Sequence, residues 1–217
     1  MMARVTVLAC WLAFTALPGQ LVPLPLVLPK PMFEGTPQNL KVPNLEKPLG
    51  RPRPPFLAPA GVANAAKGKP VSSSTPDPVT GDLDMVTDGE KSGADGAYVE
   101  LGPGVQHITI DLEAKHVIYA ILFWHYHKEA RAYRDVVVQV ADDPDFITGV
   151  RTLFNNDHDN TAGLGIGKDL AYVDTAEGKL IDARGVEARY VRLYSNGNTA
   201  NNLNHYVEVE VWGKPLE

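Results

Sequence analysis

The chain has 217 residues, of which 44% are hydrophobic, and a formal net charge of −6. That charge is spread along the chain without a basic stripe, which removes the attraction on which nucleic-acid binding depends and excludes nucleic acid as a partner. The one cysteine, Cys10, falls in an N-terminal apolar segment, so a folded region beyond it has no disulfide and must rest on its core or on a metal.

In chain order, Arg4 precedes an apolar run over residues 5–17, a length typical of a secretion signal and short for a bilayer span. Residues 1–20 therefore read as a signal peptide, and the protein as exported: secreted, periplasmic or held at the cell surface. Val7, Leu8 and Ala9 before Cys10 loosely resemble a lipoprotein box, but the apolar run continues past the cysteine. Twelve of the 18 prolines then lie between Pro18 and Pro59. Each fixes its own φ and pushes its predecessor out of the α region, so residues 21–60 are expected as an extended tether. In polyproline geometry such a segment would reach on the order of 100 Å.

Residues 61–217 read as one folded domain built from strands. Ile108, Ile110 and Leu112 alternate with His107, Thr109 and Asp111, the mark of a strand with one buried face. Residues 117–124 are apolar throughout and 136–140 are β-branched except for Gln139, which suits strands covered on both sides. Val191 and Leu193 alternate with Tyr190, Arg192 and Tyr194, and Val207, Val209 and Val211 with Tyr206, Glu208 and Glu210. Arg192, inside a strand, is expected to pair with a carboxylate. No window shows helical spacing, so the fold class is all-β, a sandwich or jelly roll.

Several landmarks then resemble, in order, the discoidin or coagulation factor V/VIII type C family of galactose-binding-like jelly rolls. They are Gly68-Lys69-Pro70-Val71-Ser72-Ser73-Ser74, Thr87-Asp88-Gly89-Glu90, the strand 107–112, Tyr190-Val191-Arg192-Leu193-Tyr194, and the closing Tyr206-Val207-Glu208-Val209-Glu210-Val211-Trp212-Gly213. Tyr98 stands nearest the place where the family usually has a Trp, and residues 154–169 are longer and richer in Asn, Asp and Gly than usual. The resemblance implies a galactose-binding-like sandwich with a structural Ca²⁺ between the Asp-Gly loop and the last strand. Its matching positions are Asp88, Glu90, Ser92 and Glu208. Oxygen donors of this kind suit a cation that takes six to eight of them.

Three further loops carry candidate ligand-binding residues. Simple antiparallel order brings loops 125–134, 155–168 and 195–205 to one end of the sandwich. They contribute Trp124, His125, Tyr126, His127, Arg131 and Arg134, then Asp157, His158 and Asp159, then Asn198, Asn202, Asn204 and His205. Flat rings cover the C–H face of a pyranose while amides and guanidinium groups satisfy its hydroxyls, so the mixture suits sugars. Asn155-Asn156-Asp157-His158-Asp159-Asn160 is dense in oxygen donors, but it fails the EF-hand test: counted from Asp157, Ala162 stands where Gly is required and Lys168 where Glu is. His125 and His127, one residue apart at a strand end, project from one face and open a second reading, a transition-metal pair completed by Asp157, His158, Asp159 or His205.

No nucleophile elbow, zinc-protease helix or reactive cysteine appears in the domain, so no catalytic residue is assigned. The expected function is an exported, non-catalytic module that binds a glycan, or adheres through a cell-surface or extracellular polysaccharide. A structural module with a protein partner and a His/Asp metal-dependent hydrolase stand as alternatives.

Overall fold

The computed structural model describes residues 20–32 and 40–216. The signal expected over residues 1–20, with Cys10, lies outside the described residues apart from Gln20. In chain order the elements are β1 (Leu21–Pro23), β2 (Leu57–Pro59), β3 (Ala63–Asn64), β4 (Val71–Ser73), a 3-10 helix (Leu83–Thr87), β5 (Val99–Leu101), β6 (Gln106–Trp124), β7 (Val137–Ala141), β8 (Arg151–Asn155), β9 (Lys179–Ser195), β10 (Asn204–Tyr206) and β11 (Glu208–Pro215). The described residues include no α-helix and no helix long and apolar enough to cross a membrane.

Strand order β3-β11-β6-β9-β7-β8, with β4 also on β6, builds the main sheet, and β5 pairs with β10 in a second antiparallel pair. The alternation of 107–112 and the apolar run 117–124 belong to one long strand, β6, which pairs antiparallel with β9 along its length. Register shifts between Asp111 and His116, and between Ile118 and Ala120, bend the pair. The bends fall where Glu113, Arg184 and Gly185 take left-handed φ, the geometry of bulges that turn a sheet. Ile108, Ile110, Leu112, Ile118, Ile121 and Phe123 of β6 thereby face Val138 and Val140 of β7, Val191 and Leu193 of β9, and Val209 and Val211 of β11 in one core.

The Pro-rich segment does not lead away from the sandwich in its described residues. β1 pairs antiparallel with β2, Leu24 and Ala58 pack on Ala120 and Trp212, and Leu26 packs against the cluster of Leu122, Trp124 and Val207. This corrects the expectation of a spacer on the order of 100 Å long. The physical reason is the outer face of β6 and β11, where Ala120, Leu122, Trp124 and Trp212 present apolar area that this segment helps to cover. Glu208, expected on a non-core strand face, is buried, and so is Glu210. Lys91 Nζ pairs with Glu210 Oε1 at 2.5 Å and also donates to the Val27 carbonyl.

Arg192 departs from expectation too. Its Nε donates to Thr109 Oγ1, a terminal nitrogen donates to the Pro144 carbonyl, and the guanidinium lies over Phe146. The arginine that grips a carboxylate is Arg189, bidentate on Asp111 at 2.8 Å for each bond.

Candidate functional site

The site is assembled around His205, which β10 places directly opposite Glu100 of β5. Cross-strand partners bring their side chains close, and Glu100 Oε2 lies 3.0 Å from His205 Nε2. On its other side Nδ1 is 2.8 Å from the Tyr133 hydroxyl. A neutral ring satisfies both contacts: Nε2–H donates to the carboxylate and Nδ1 accepts from the hydroxyl. Burial first, then the charges of Arg131 and His125, hold the His205 pKa down near 4 in spite of the neighbouring carboxylate.

Two half-buried tyrosines flank this histidine. Tyr98 and Tyr126 meet edge to face at 5.4 Å, and their centroids lie 5.7 and 5.9 Å from the His205 ring. The Arg131 guanidinium covers Tyr126 at 4.5 Å and pairs with Glu129 at 2.8 Å, while Lys128 pairs with Asp95 at 3.0 Å. The cluster thus offers ring surface and one carboxylate held by a buried imidazole, with each neighbouring cation already partnered by an acid. Such a surface accepts C–H faces and hydroxyls and has no unpaired cation for a carboxylated or sulfated ligand.

Behind it lies a buried layer. His125, with no exposed surface, stacks on Tyr133 at 4.1 Å and 17° between planes. Its Nδ1 is 3.4 Å from Asp174 Oδ1 and 3.5 Å from the Tyr172 hydroxyl. His127 is separately engaged: its Nε2 bonds the Lys91 carbonyl at 2.7 Å, and its ring lies beside Gly93. The two histidines expected to form a metal pair thus have different surroundings. Trp124, expected to offer its face to a ligand, is fully buried, with its indole N–H donating to the Ala176 carbonyl at 3.0 Å.

The asparagine loop is occupied with its own architecture. Asn204 Oδ1 accepts from Ser195 and the Gly197 N–H, and its amide donates to the Gly102 and Gly104 carbonyls. Asn198 Oδ1 accepts from the N–H groups of Ala200 and Asn201, and its amide donates to Asn201 Oδ1 and the Leu203 carbonyl. Arg134 fastens the loop through Asn196 and Asn198 carbonyls and Asn202 Oδ1. These four residues hold the loop's shape, and the amides of Asn198 and Asn204 have no hydrogen-bond capacity left over for a sugar.

In the third loop Asp157 is buried and accepts the N–H groups of Thr161 and Ala162, while Asp159 is exposed and accepts from Thr161. His158 bonds Asn44 of the N-terminal segment at 3.1 Å. Asp157 and Asp159 cluster with Asp135, which sequence reasoning passed over; their oxygens lie within 4.8 Å of one another. The Asp135 pKa is raised, by burial first and then by the charges of Asp157 and Asp159.

The residues of the expected Ca²⁺ site come from the loop after the 3-10 helix and from β11. Gly89 N–H donates to Glu208 Oε2 at 3.0 Å, while Glu208 Oε1 is buried with no partner. Burial, opposed only in part by that bond, pushes the Glu208 pKa up to about 8. Asp88 Oδ1 accepts the Glu90 N–H and Glu90 Oε1 the Ser92 N–H, each at 2.7 Å, so both exposed carboxylates close turns of their own loop. The unpartnered oxygen of Glu208 fits an oxygen-seeking cation, and the carboxylates of Asp88 and Glu90 contribute less directly than their types implied.

No protein-family model matches the chain, and no curated protein matches it. Solved structures do match. The module CpGH89CBM32-4 produced by Clostridium perfringens, in complex with GlcNAc-α-1,4-galactose, aligns at 17% identity over 71% of this chain and 96% of its own, with a TM-score of 0.50. A Streptococcus pneumoniae fucose binding module aligns at 17% identity over 70% and 96% respectively, also at 0.50. A family 89 glycoside hydrolase from Clostridium perfringens matches at 17% identity and 0.50 over 70% of this chain but only 15% of its own length. Likeness at this identity establishes the fold: the chain is a galactose-binding-like β-sandwich.

Tyr126, Arg131 and His205 are the sequence-predicted residues that the fold brings together, the first two half-buried at the surface and His205 buried beneath them. Tyr98 and Glu100 complete the cluster and were missed as site residues. The register of β5 on β10 places Glu100 there, and pairing register is not written in the residues of either strand alone.

Proposed function

We propose that this protein is an exported, non-catalytic carbohydrate-binding module, contacting a neutral glycan through Tyr98, Glu100, Tyr126 and Arg131, with the buried His205 holding Glu100 in place. One observation carries the reading: Tyr98 and Tyr126 meet edge to face at a half-buried surface above the buried His205 ring, beside the Glu100 carboxylate, and the neighbouring cations are paired. Sugar recognition asks for that combination of ring faces and fixed polar groups. The partner is a cell-surface or extracellular polysaccharide, which makes adhesion the consequence of binding. The solved modules that share the fold support the reading, one being in complex with GlcNAc-α-1,4-galactose and another described as fucose binding.

Ca²⁺ belongs to this reading as a structural ion. Glu208 Oε1 and oxygens of the loop 88–92 would hold it, and when bound it would supply the charge that the buried carboxylate lacks. Glycan-array screening of the full chain tests the main claim. Binding of neutral glycans that Tyr126→Ala abolishes without lowering stability supports it. Silence across the array, or binding confined to uronic or sulfated sugars, overturns it.

A further inference from the structure

We propose that residues 44–53 of the N-terminal segment form a positioning strap for the candidate site, with Arg53 as its fastener and the loop 171–178 as its lever. The proposal takes the site from the reading above and adds a part of the chain that touches none of its surface residues.

The strap grips the lever at both ends. At the first end Glu46 N–H donates to the Ala171 carbonyl at 2.8 Å, and Ala171 N–H donates to the Asn44 carbonyl at 3.0 Å, making a parallel bridge with Leu45. At the far end the Arg53 guanidinium donates to the carbonyls of Gly178 at 2.8 Å and Glu177 at 2.6 Å, while the Arg53 N–H faces both Glu177 carboxylate oxygens at 3.2 Å. Glu46 adds a 2.8 Å ion pair to Lys179. A planar fork aimed at two successive carbonyls is a rigid fastener in a way that a flexible ammonium is not.

Between these grips the loop reaches the buried layer behind the site. Asp174 N–H donates to the carbonyl of Arg131 at 2.9 Å, so the lever is bonded directly to the backbone of a site residue. The side chains of Asp174 and Tyr172 abut His125, His125 stacks on Tyr133, and the Tyr133 hydroxyl meets His205 Nδ1. Every link is a packed or hydrogen-bonded contact between buried groups, and such a chain moves as a body because close-packed interiors do not absorb displacement. Releasing the strap therefore shifts the loop, and with it the donor to His205 and the backbone of Arg131.

The test uses the full chain with Arg53→Ala, with Arg51→Ala as an exposed control, and with Glu46→Gln as a milder release through the Lys179 ion pair. Two readouts need no ligand: the ring ¹⁵N resonances of His205 and hydrogen exchange at the Asp174 amide. Arg53→Ala is expected to move the His205 resonances and to speed exchange at Asp174 about tenfold, with Glu46→Gln moving both in the same direction by less. Titration with GlcNAc-α-1,4-galactose is expected to show roughly 5- to 10-fold weaker binding in Arg53→Ala. A lower melting temperature with His205 and Asp174 unchanged from wild type would overturn the strap, because a segment that merely adds stability leaves both at rest. If Arg53→Ala does not fold, Glu46→Gln decides by the same two signals. Wild-type protein that ignores the disaccharide while both signals move would count against the sugar reading and leave the strap standing.

Discussion

Trp124 separates a stabilising role from a recognising one. The ring is fully buried in a cluster with Leu122 and Val207, against which Leu26, Tyr98 and Leu180 pack, and its N–H is on the Ala176 carbonyl. Truncating a buried Trp costs roughly 3–5 kcal/mol, and the orphaned carbonyl adds to that, so about 4 kcal/mol is a fair expectation for Trp124→Ala. With a urea m-value of about 2 kcal/mol/M, the midpoint falls by ~2 M at unchanged slope. A domain with stability of about 5–15 kcal/mol remains mostly folded at 25 °C, and its folded fraction should still bind sugar, weakened several-fold at most, because Trp124 holds Ala176 of the loop 171–178 and packs in the cluster that Tyr98 touches. Tyr126→Ala should do the reverse, costing under ~1 kcal/mol at a half-buried position while removing binding. Urea unfolding followed by intrinsic fluorescence or circular dichroism, with sugar titration of each variant, measures both. The reasoning fails if Trp124→Ala abolishes binding with its urea midpoint unmoved, since a ring that binds sugar cannot also be sealed inside.

Three other outcomes follow from the same geometry. Gly178 has φ 64°, and a methyl there would lie 2.7 Å from Trp124 Cε2 and 2.9 Å from the Phe123 carbonyl; Gly178→Ala should therefore cost about 3 kcal/mol in urea unfolding from left-handed strain and overpacking together. His205 has its pKa lowered from 6.5 to about 4, so the unfolded chain binds more protons between those values and stability falls as pH drops through that window. Discounted for screening by the surrounding solvent and charges, the loss at pH 4.5 is on the order of 1–2 kcal/mol, and a His205→Asn variant with an equally steep pH dependence would remove His205 as its source. If Ca²⁺ binds at Glu208, saturating it at about a hundred times its dissociation constant adds ~2.7 kcal/mol; EDTA should then lower the melting temperature, Ca²⁺ restore it, and Glu208→Gln abolish the response, whereas indifference of the wild type to EDTA refutes the site.

The strands were legible because burial writes a two-residue rhythm into sequence. Ile108, Ile110 and Leu112 point inward as that rhythm requires, and the family landmarks lie on one galactose-binding-like sandwich. The N-terminal segment was misjudged because proline density speaks to local backbone geometry and says nothing of what the chain lies against. A sign of the cover was nonetheless present. An apolar run over residues 117–124 calls for apolar neighbours on both faces, and Ala120, Leu122 and Trp124 find theirs in Leu24, Leu26, Ala58 and the Trp212 ring. The strand pattern thus demanded a second cover, and the segment with Leu and Val between its prolines was the part of the chain able to supply it.

The polar residues were harder to assign, for a reason that is chemical. Asn198 and Asn204 in a ligand-binding loop and Asn198 and Asn204 in a self-closing loop have the same composition; only the count of bonds each amide already makes tells them apart. Here those amides are spent on Gly102, Gly104, Gly197, Leu203 and their neighbours, while Tyr98 and Tyr126 keep exposed ring surface and Glu100 shares its carboxylate only with the edge of a neutral imidazole. Recognition can be built only from capacity that folding has left unused. On that ground the candidate surface moves away from the asparagines and settles on the rings around His205, where a variant can lose its ligand without losing its fold.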